Sequence, residues 1–200
     1  MNRFAKSSGF SLSSTGFFRR WLSVLALWKF ILVIFRARGR LRGTSIVMRL
    51  LFVADLHYSL KQFDWLLANA GQYDLAVIGG DLLDLASPLD ADVQIAIVEK
   101  YFGLLRQKTS LAVSSGNHDG DRRNDADESV AAWLRAARID RLHVDGDSFE
   151  LGDTRITICP WWDGDLSRGE LQALLEREAA QVRGRWLWIH HAPPEGARTS

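Results

Sequence analysis

Leu50-Leu51-Phe52-Val53-Ala54-Asp55-Leu56-His57 is an apolar run that stops on a carboxylate and an imidazole two positions apart. Three later runs repeat the plan. Residues 74–78 lead to Asp81, residues 111–113 lead to Asn117, His118 and Asp119, and residues 185–189 lead to His190 and His191. A buried strand exposes reactive groups only at its end, and open α/β sheets bind ligands outside the carboxyl ends of their strands. One site assembled from four strand ends is the economical reading, and the fold class is α/β.

Composition sets the bounds. With 47% hydrophobic and 24% charged residues, the 200-residue chain has the make-up of a globular protein with one core. The single Cys159 excludes an internal disulfide and a thiolate zinc cluster. It ends the run Ile156-Thr157-Ile158-Cys159 and reads as a small buried hydrophobe. The net charge of +1 conceals an asymmetry, because residues 1–54 hold ten basic and no acidic side chains, leaving residues 55–200 at −9. An acidic body lacks the Lys and Arg that a nucleic-acid groove needs to replace phosphate counterions. Bound divalent metals would neutralise part of that charge.

Residues 1–47 stand apart as a basic, partly apolar extension. Their apolar window, residues 21–35, is interrupted by Ser23 and Lys29 and is shorter than the ~20 residues of a spanning helix. Arg19-Arg20-Trp21-Leu22 faintly resembles a twin-arginine signal, but no small-residue cleavage site follows. Three readings stay open: an upstream leader, since Met48-Arg49 runs straight into the first strand; an anchor in a membrane interface through residues 21–35; and a cleaved signal. The expected location is cytoplasmic, and membrane-associated if the anchor is real.

From Met48 the pattern becomes regular. Strands are expected at residues 49–54, 74–78 and 111–113. Helices are expected at 63–70, stopped by Gly71, at 90–106 with Val93, Ile97 and Leu104 on the buried face, and at 129–138 after a charged, solvated tract at 121–128. After Asp140 the period shortens. Residues 142–144, 148–151 and 154–159 read as a meander turned at Asp145-Gly146-Asp147 and Gly152-Asp153. A helix at 166–182 with Leu171, Leu174 and Leu175 on one face then precedes the last strand, 185–189.

The strand ends carry the chemistry. Asp and His at i and i+2 of a continuing strand point to one side, which lets Asp55 and His57 hold one ion together. Asp81 follows Gly79-Gly80, a backbone slim enough for its carboxylate to approach two ions and bridge them. Asn117 offers an amide oxygen and the last strand an imidazole. Oxygen and nitrogen donors without thiolate suit a pair of manganese, iron, zinc or cobalt ions better than calcium. Any one of these residues alone is more often a capped turn or a satisfied surface group. Four in order are a site.

Together, Asp55-Leu56-His57, Gly80-Asp81-Leu82-Leu83-Asp84, Gly116-Asn117-His118-Asp119 and His190-His191-Ala192-Pro193-Pro194 resemble the first four motifs of the calcineurin-like metallophosphoesterases. The resemblance spans residues 48–194. It implies a four-layer α/β/β/α sandwich of two mixed sheets, in accord with the meander, and metal-dependent hydrolysis of a phosphomonoester or phosphodiester. It implies that Asp55 and His57 bind a first metal, that Asp81 bridges, and that Asn117 binds a second. The family places a His two positions before Pro, which selects His191 as a ligand and leaves His190 as its neighbour. By resemblance His118 stands beside the two divalent ions and protonates the leaving oxygen or stabilises the pentacoordinate transition state, while Asp119 holds its ring. Two cations ~3.5–4 Å apart lower the pKa of a bridging water and stabilise the equatorial oxygens, so cleavage needs no covalent intermediate. Asp84 reads as an outer partner or a helix cap.

The family's closing Gly-His-x-His motif does not occur before Ser200. The expectation is either a domain at residues 48–200 without its C-terminal part, whose second sheet lacks closing strands and leaves an edge unpaired, or a degenerate member with an under-coordinated site. A reading of another class is a scaffold or metal-binding module of the same fold without turnover. Scaffolds that resemble this family lose the Asp-x-His or Asn-His-Asp residues, and here both are present. Of the remaining residues, Trp186 and Trp188 read as core and His143 as structural. Trp161 and Trp162, after Pro160, read either as a cap on a small core or as the lining of a substrate cleft.

Overall fold

A computed structural model of the chain describes residues 31–41 and 44–192. In chain order the strands are β1 (Ile31–Leu41), β2 (Thr44–Ala54), β3 (Leu75–Gly79), β4 (Ser110–Ser114), β5 (Arg122–Arg123), β6 (Ser129–Val130), β7 (Leu142–His143), β8 (Ser148–Leu151), β9 (Thr154–Ile158) and β10 (Arg185–Ile189). The α-helices are α1 (Leu60–Asn69), α2 (Ala91–Leu105), α3 (Ala132–Ala136) and α4 (Asp165–Ala179).

Five strands form a mixed sheet in the order β1-β2-β3-β4-β7, antiparallel only between β1 and β2. A second mixed sheet runs β10-β9-β8, with β10 parallel and β8 antiparallel to β9. The two-residue period of a strand decides which side chains go where. Leu51, Val53, Ala76, Ile78, Leu111 and Val113 pack with Phe63 and Leu66 of α1 and Val98 and Phe102 of α2. Their neighbours Met48, Leu50, Leu75, Val77 and Ala112 pack with Ile156, Ile158 and Ile189 of the second sheet. Because both faces are covered, β3 is buried at every position, as its unbroken apolar run requires. On the outer face of the second sheet, the Arg155 guanidinium donates to Glu178 of α4 at 2.9 Å. Helices, sheet, sheet and helix make the four-layer α/β/β/α sandwich of two mixed sheets.

Several local expectations are corrected. Leu142 and His143 pair with β4 in the first sheet, and the turn at Gly146 (φ 84°) carries the chain across to the second. Only β8 and β9 form a hairpin there, through Gly152 (φ 64°). The buried stripe of α2 is Gln94, Val98, Phe102 and Leu105, while Val93 and Leu104 are 45% and 46% exposed. The reason is polar. The Gln94 amide accepts from the Asp84 N–H (2.9 Å) and donates to the Asp84 and Leu89 carbonyls (3.1 and 2.9 Å), which draws a glutamine inward at the head of the stripe. The tract 121–128 is not merely solvated, because it opens the β5–β6 hairpin and ends on Glu128, 8% exposed. That carboxylate accepts the Leu166 and Ser167 amides at 2.8 and 2.7 Å, satisfying N–H groups that the first turn of α4 leaves unpaired. The helix expected at 129–138 shortens to α3. Trp188 is 52% exposed and packs edge-to-face on Trp186 (5.0 Å), so this pair lies outside the core.

β2 starts at Thr44, five residues before the expected start, with β1 paired along its whole length. Of the window 21–35, only residues 31–35 are described, and they begin β1. The rest of it, Arg19-Arg20 and Pro193-Pro194 lie outside the described residues. Among the described residues no helix is long and apolar enough to cross a membrane.

Two outcomes are expected. In urea titrations Phe102→Ala costs about 3–5 kcal/mol, whereas Val93→Ala stays within about 0.5 kcal/mol; equal costs would restore the expected face. The Ser167 contacts, with help from the Leu166 amide and Asn124, hold the Glu128 carboxyl down at about 2 against burial. A carboxyl lowered on folding stabilises above its ordinary value and loses that contribution as pH falls. The stability gap between wild type and Glu128→Gln should therefore shrink between pH 4.5 and pH 2, and a gap that widens contradicts this.

Candidate metal centre

β2 ends at Ala54, and Asp55, His57 and Tyr58 adopt left-handed backbone (φ 56°, 41° and 54°), as does Asp81 (φ 55°). The strand does not continue through Asp55 and His57, so their proximity has another cause than strand alternation. Such conformations are costly for non-glycine residues and persist where surroundings over-determine them. Here the loop after β2 is laced to the loop after β3: Asp55 N–H donates to Gly80 O (3.1 Å), His57 to Asp81 O (2.9 Å) and Tyr58 to Leu82 O (2.7 Å).

The loop after β4 is tied in by a carboxylate. Asp119, 0% exposed, accepts the Leu82 and Leu83 amides on Oδ1 (2.8 and 3.0 Å) and the Gly116 amide on Oδ2 (2.8 Å). It does not hold the His118 ring, whose Nδ1 is buried without a hydrogen-bond partner. Burial pushes the Asp119 carboxyl up to about 7, the charge of Asp81 adds to that, and the three amides oppose it. The glycines act by clearing space. A Cβ on Gly116 would run into the Asp81 carboxylate, and one on Gly80 (φ 93°) would lie 2.6 Å from His191 Nδ1.

What these ties bring together is a carboxylate ringed by imidazoles. Asp81, 4% exposed, takes the His118 N–H on Oδ1 at 3.0 Å. Its Oδ2 faces Nε2 of His191 (3.4 Å), His57 (3.7 Å) and His118 (4.0 Å), and His57 Nε2 lies 3.9 Å from Asp55 Oδ1. Two triads result, each with its donor atoms within 4.8 Å: His57, Asp81 and His118; and Asp55, Asp81 and His191. Asp55 and His57 are thus neighbours divided between triads. His118 falls within a triad where a place beside the ions was expected. Asn117, next to it, is exposed. Of the two terminal histidines the structure brings His191 into the cluster; His190 is half-buried outside both triads, and its burial lowers its pKa. Asp84 caps a local turn by accepting the Ala86 amide at 2.9 Å.

The electrostatics suit cations. Burial alone would raise Asp81, but the His191 contact, the His118 amide and the charge of both imidazoles outweigh it and lower the carboxyl. Burial disfavours a charged His191, yet Asp81, the Gly79 carbonyl and the charges of Asp81 and Asp55 raise it to about 9. The His191 Nδ1 contact with Gly79 O, 2.8 Å, can only be a donation, because a carbonyl only accepts. That leaves Nε2 as the atom turned to the cluster, the one that a neutral ring would offer to a metal. The His57 and His118 separations from Asp81 Oδ2, 3.7 and 4.0 Å, exceed a direct hydrogen bond, and with His191 they suit donors arranged around a shared cation. The donor set fits divalent metal.

A family model for calcineurin-like phosphoesterases matches residues 48–195. The chain belongs to the calcineurin-like phosphoesterase family. No curated protein matches it closely enough to report. Family membership carries divalent-metal chemistry, and this phosphoesterase presents residues able to hold it.

The sequence reading missed a buried pair behind the centre. Asp145 accepts from the Ser115 amide and hydroxyl (2.9 and 2.6 Å), and Ser115 Oγ accepts the Trp161 amide (2.9 Å). Burial pushes the Asp145 carboxyl up to about 6. The available signal was Ser-Ser-Gly directly before the Asn-His-Asp element; Asp145 itself read as a turn residue.

Asp119→Asn would set an amide NH₂ against backbone donors. It should lower stability by about 1–3 kcal/mol in urea and weaken manganese binding in calorimetry. Unchanged stability and binding would refute the role assigned to this carboxylate.

Proposed function

We propose that the domain hydrolyses a phosphomonoester or phosphodiester at a pair of divalent cations that share Asp81. One observation carries the reading: Asp81 is the member common to both triads. A single buried carboxylate with donors on two sides suits a ligand shared between two ions. Asp55 and His191 would complete one site, and His57, with Asn117 or His118, the other. Mixed oxygen and nitrogen donors favour manganese, iron, zinc or cobalt. When bound, the ions supply Lewis-acid polarisation of the phosphoryl group and lower the pKa of the attacking water.

The chain's own residues do the rest. Asp81, buried and held below its ordinary pKa, stays ionised at neutral pH and concentrates negative charge where cations must sit. The His191 ring is oriented by Gly79 O, so its Nε2 meets the cluster without rotamer search. His118, pinned through its backbone N–H to Asp81 Oδ1, turns Nε2 to the same centre and is placed to hand a proton to a leaving oxygen. Its buried Nδ1 has no hydrogen-bond partner, so Asp119 does not hold the ring from that side.

The test is manganese-dependent hydrolysis of bis(p-nitrophenyl) phosphate and p-nitrophenyl phosphate, with Asp81→Asn beside wild type. A loss of at least about a hundredfold is expected. Equal rates would sink the catalytic reading, and metal binding with no hydrolysis in wild type would favour the scaffold. His118→Ala should retain manganese while losing most of kcat; loss of metal in that variant would make His118 a ligand.

A further inference from the structure

We propose that Trp161, Trp162 and Arg168 form a subsite that stacks the base of a mononucleotide substrate while its phosphate lies at the Asp81 cluster. The subsite rests on the phosphoesterase reading of that cluster. Trp161 stands edge-to-face on His191, with ring centroids 5.9 Å apart at 70°, so aromatic surface begins one ring away from the triads. Trp162 lies nearly parallel to Trp161, 6.3 Å away at 10°. From α4, the Arg168 guanidinium sits 5.3 Å above the Trp162 ring.

This shelf is built. Trp161 hangs from Ser115 Oγ, and Ser115 is fixed by Asp145; both residues are 2% exposed. Two positions on, Asp163 accepts the Ser129 amide at 2.8 Å, pinning the other end of the segment to the β5–β6 hairpin. The core-cap reading fails, because both rings are half-buried and neither belongs to a hydrophobic core cluster. Fixed, flat, partly open rings beside a phosphate site match a planar base, whose π-face stacks on aromatic side chains without regard to sequence. Arg168 adds a cation able to pair with a further phosphate. The net −9 over residues 55–200 disfavours a polynucleotide, so the base is assigned to a mononucleotide.

The experiment is calorimetry in manganese with the non-hydrolysable 5′-phosphonates of adenosine and of ribose, on wild type, Trp162→Ala and Trp162→Phe. Wild type should bind the adenosine compound about tenfold more tightly. Trp162→Ala should erase that preference while keeping the ribose compound's affinity, and Trp162→Phe should retain most of it. Equal affinities in wild type, or a preference that survives Trp162→Ala, overturn the subsite even if phosphodiester hydrolysis proceeds. Binding of neither phosphonate overturns both the subsite and the reading beneath it.

Discussion

A fully buried carboxylate, Asp119, joins two loops that would otherwise be independent. Its two oxygens accept three backbone amides, two from the segment after β3 and one from the segment after β4. A carboxyl group in a dry interior is costly unless its oxygens find donors, and closing the loops on Asp119 supplies three amides. With them closed, Gly116 lies against Asp81 and the His118 amide reaches Asp81 Oδ1. The third loop, after β2, then completes a ladder of backbone hydrogen bonds from Asp55, His57 and Tyr58. The reactive side chains converge because their backbones are tied to one another.

That convergence needs both sheets. β2, β3 and β4 are parallel neighbours, so their carboxyl ends share one rim. His191 arrives from the second sheet, two residues beyond the end of β10, whose register with β9 is extended when the Cys159 amide donates to Ile189 O. The apolar layer of Leu75, Val77 and Ala112 against Ile156, Ile158 and Ile189 keeps the two rims together.

Much of this was legible in the sequence, for reasons that differ by level. The fold class followed from unbroken apolar runs, which only a doubly covered sheet can accommodate, and the cluster followed from polar residues ending four such runs. What periodicity could not reveal was the role of buried polar groups. Gln94 leads the inner face of α2 because its amide finds three backbone partners, and Glu128 is buried because α4 offers unpaired amides far along the chain. Asp119, read as a support for His118, is taken up by backbone donors instead. Ser115 and Asp145 escaped notice as a pair because they lie 30 residues apart, and neither the Ser-Ser-Gly run nor the turn at Asp145 points to the other. The left-handed backbone at Asp55 and His57 likewise depends on a distant loop.

The central claim is that Asp81 is shared by two cations. Anomalous diffraction at the manganese edge, from crystals of the protein grown with that metal, tests it most directly. Two peaks are expected, both in contact with the Asp81 carboxylate, one toward Asp55 and His191 and the other toward His57. A single peak, or two of which only one touches Asp81, would contradict the account.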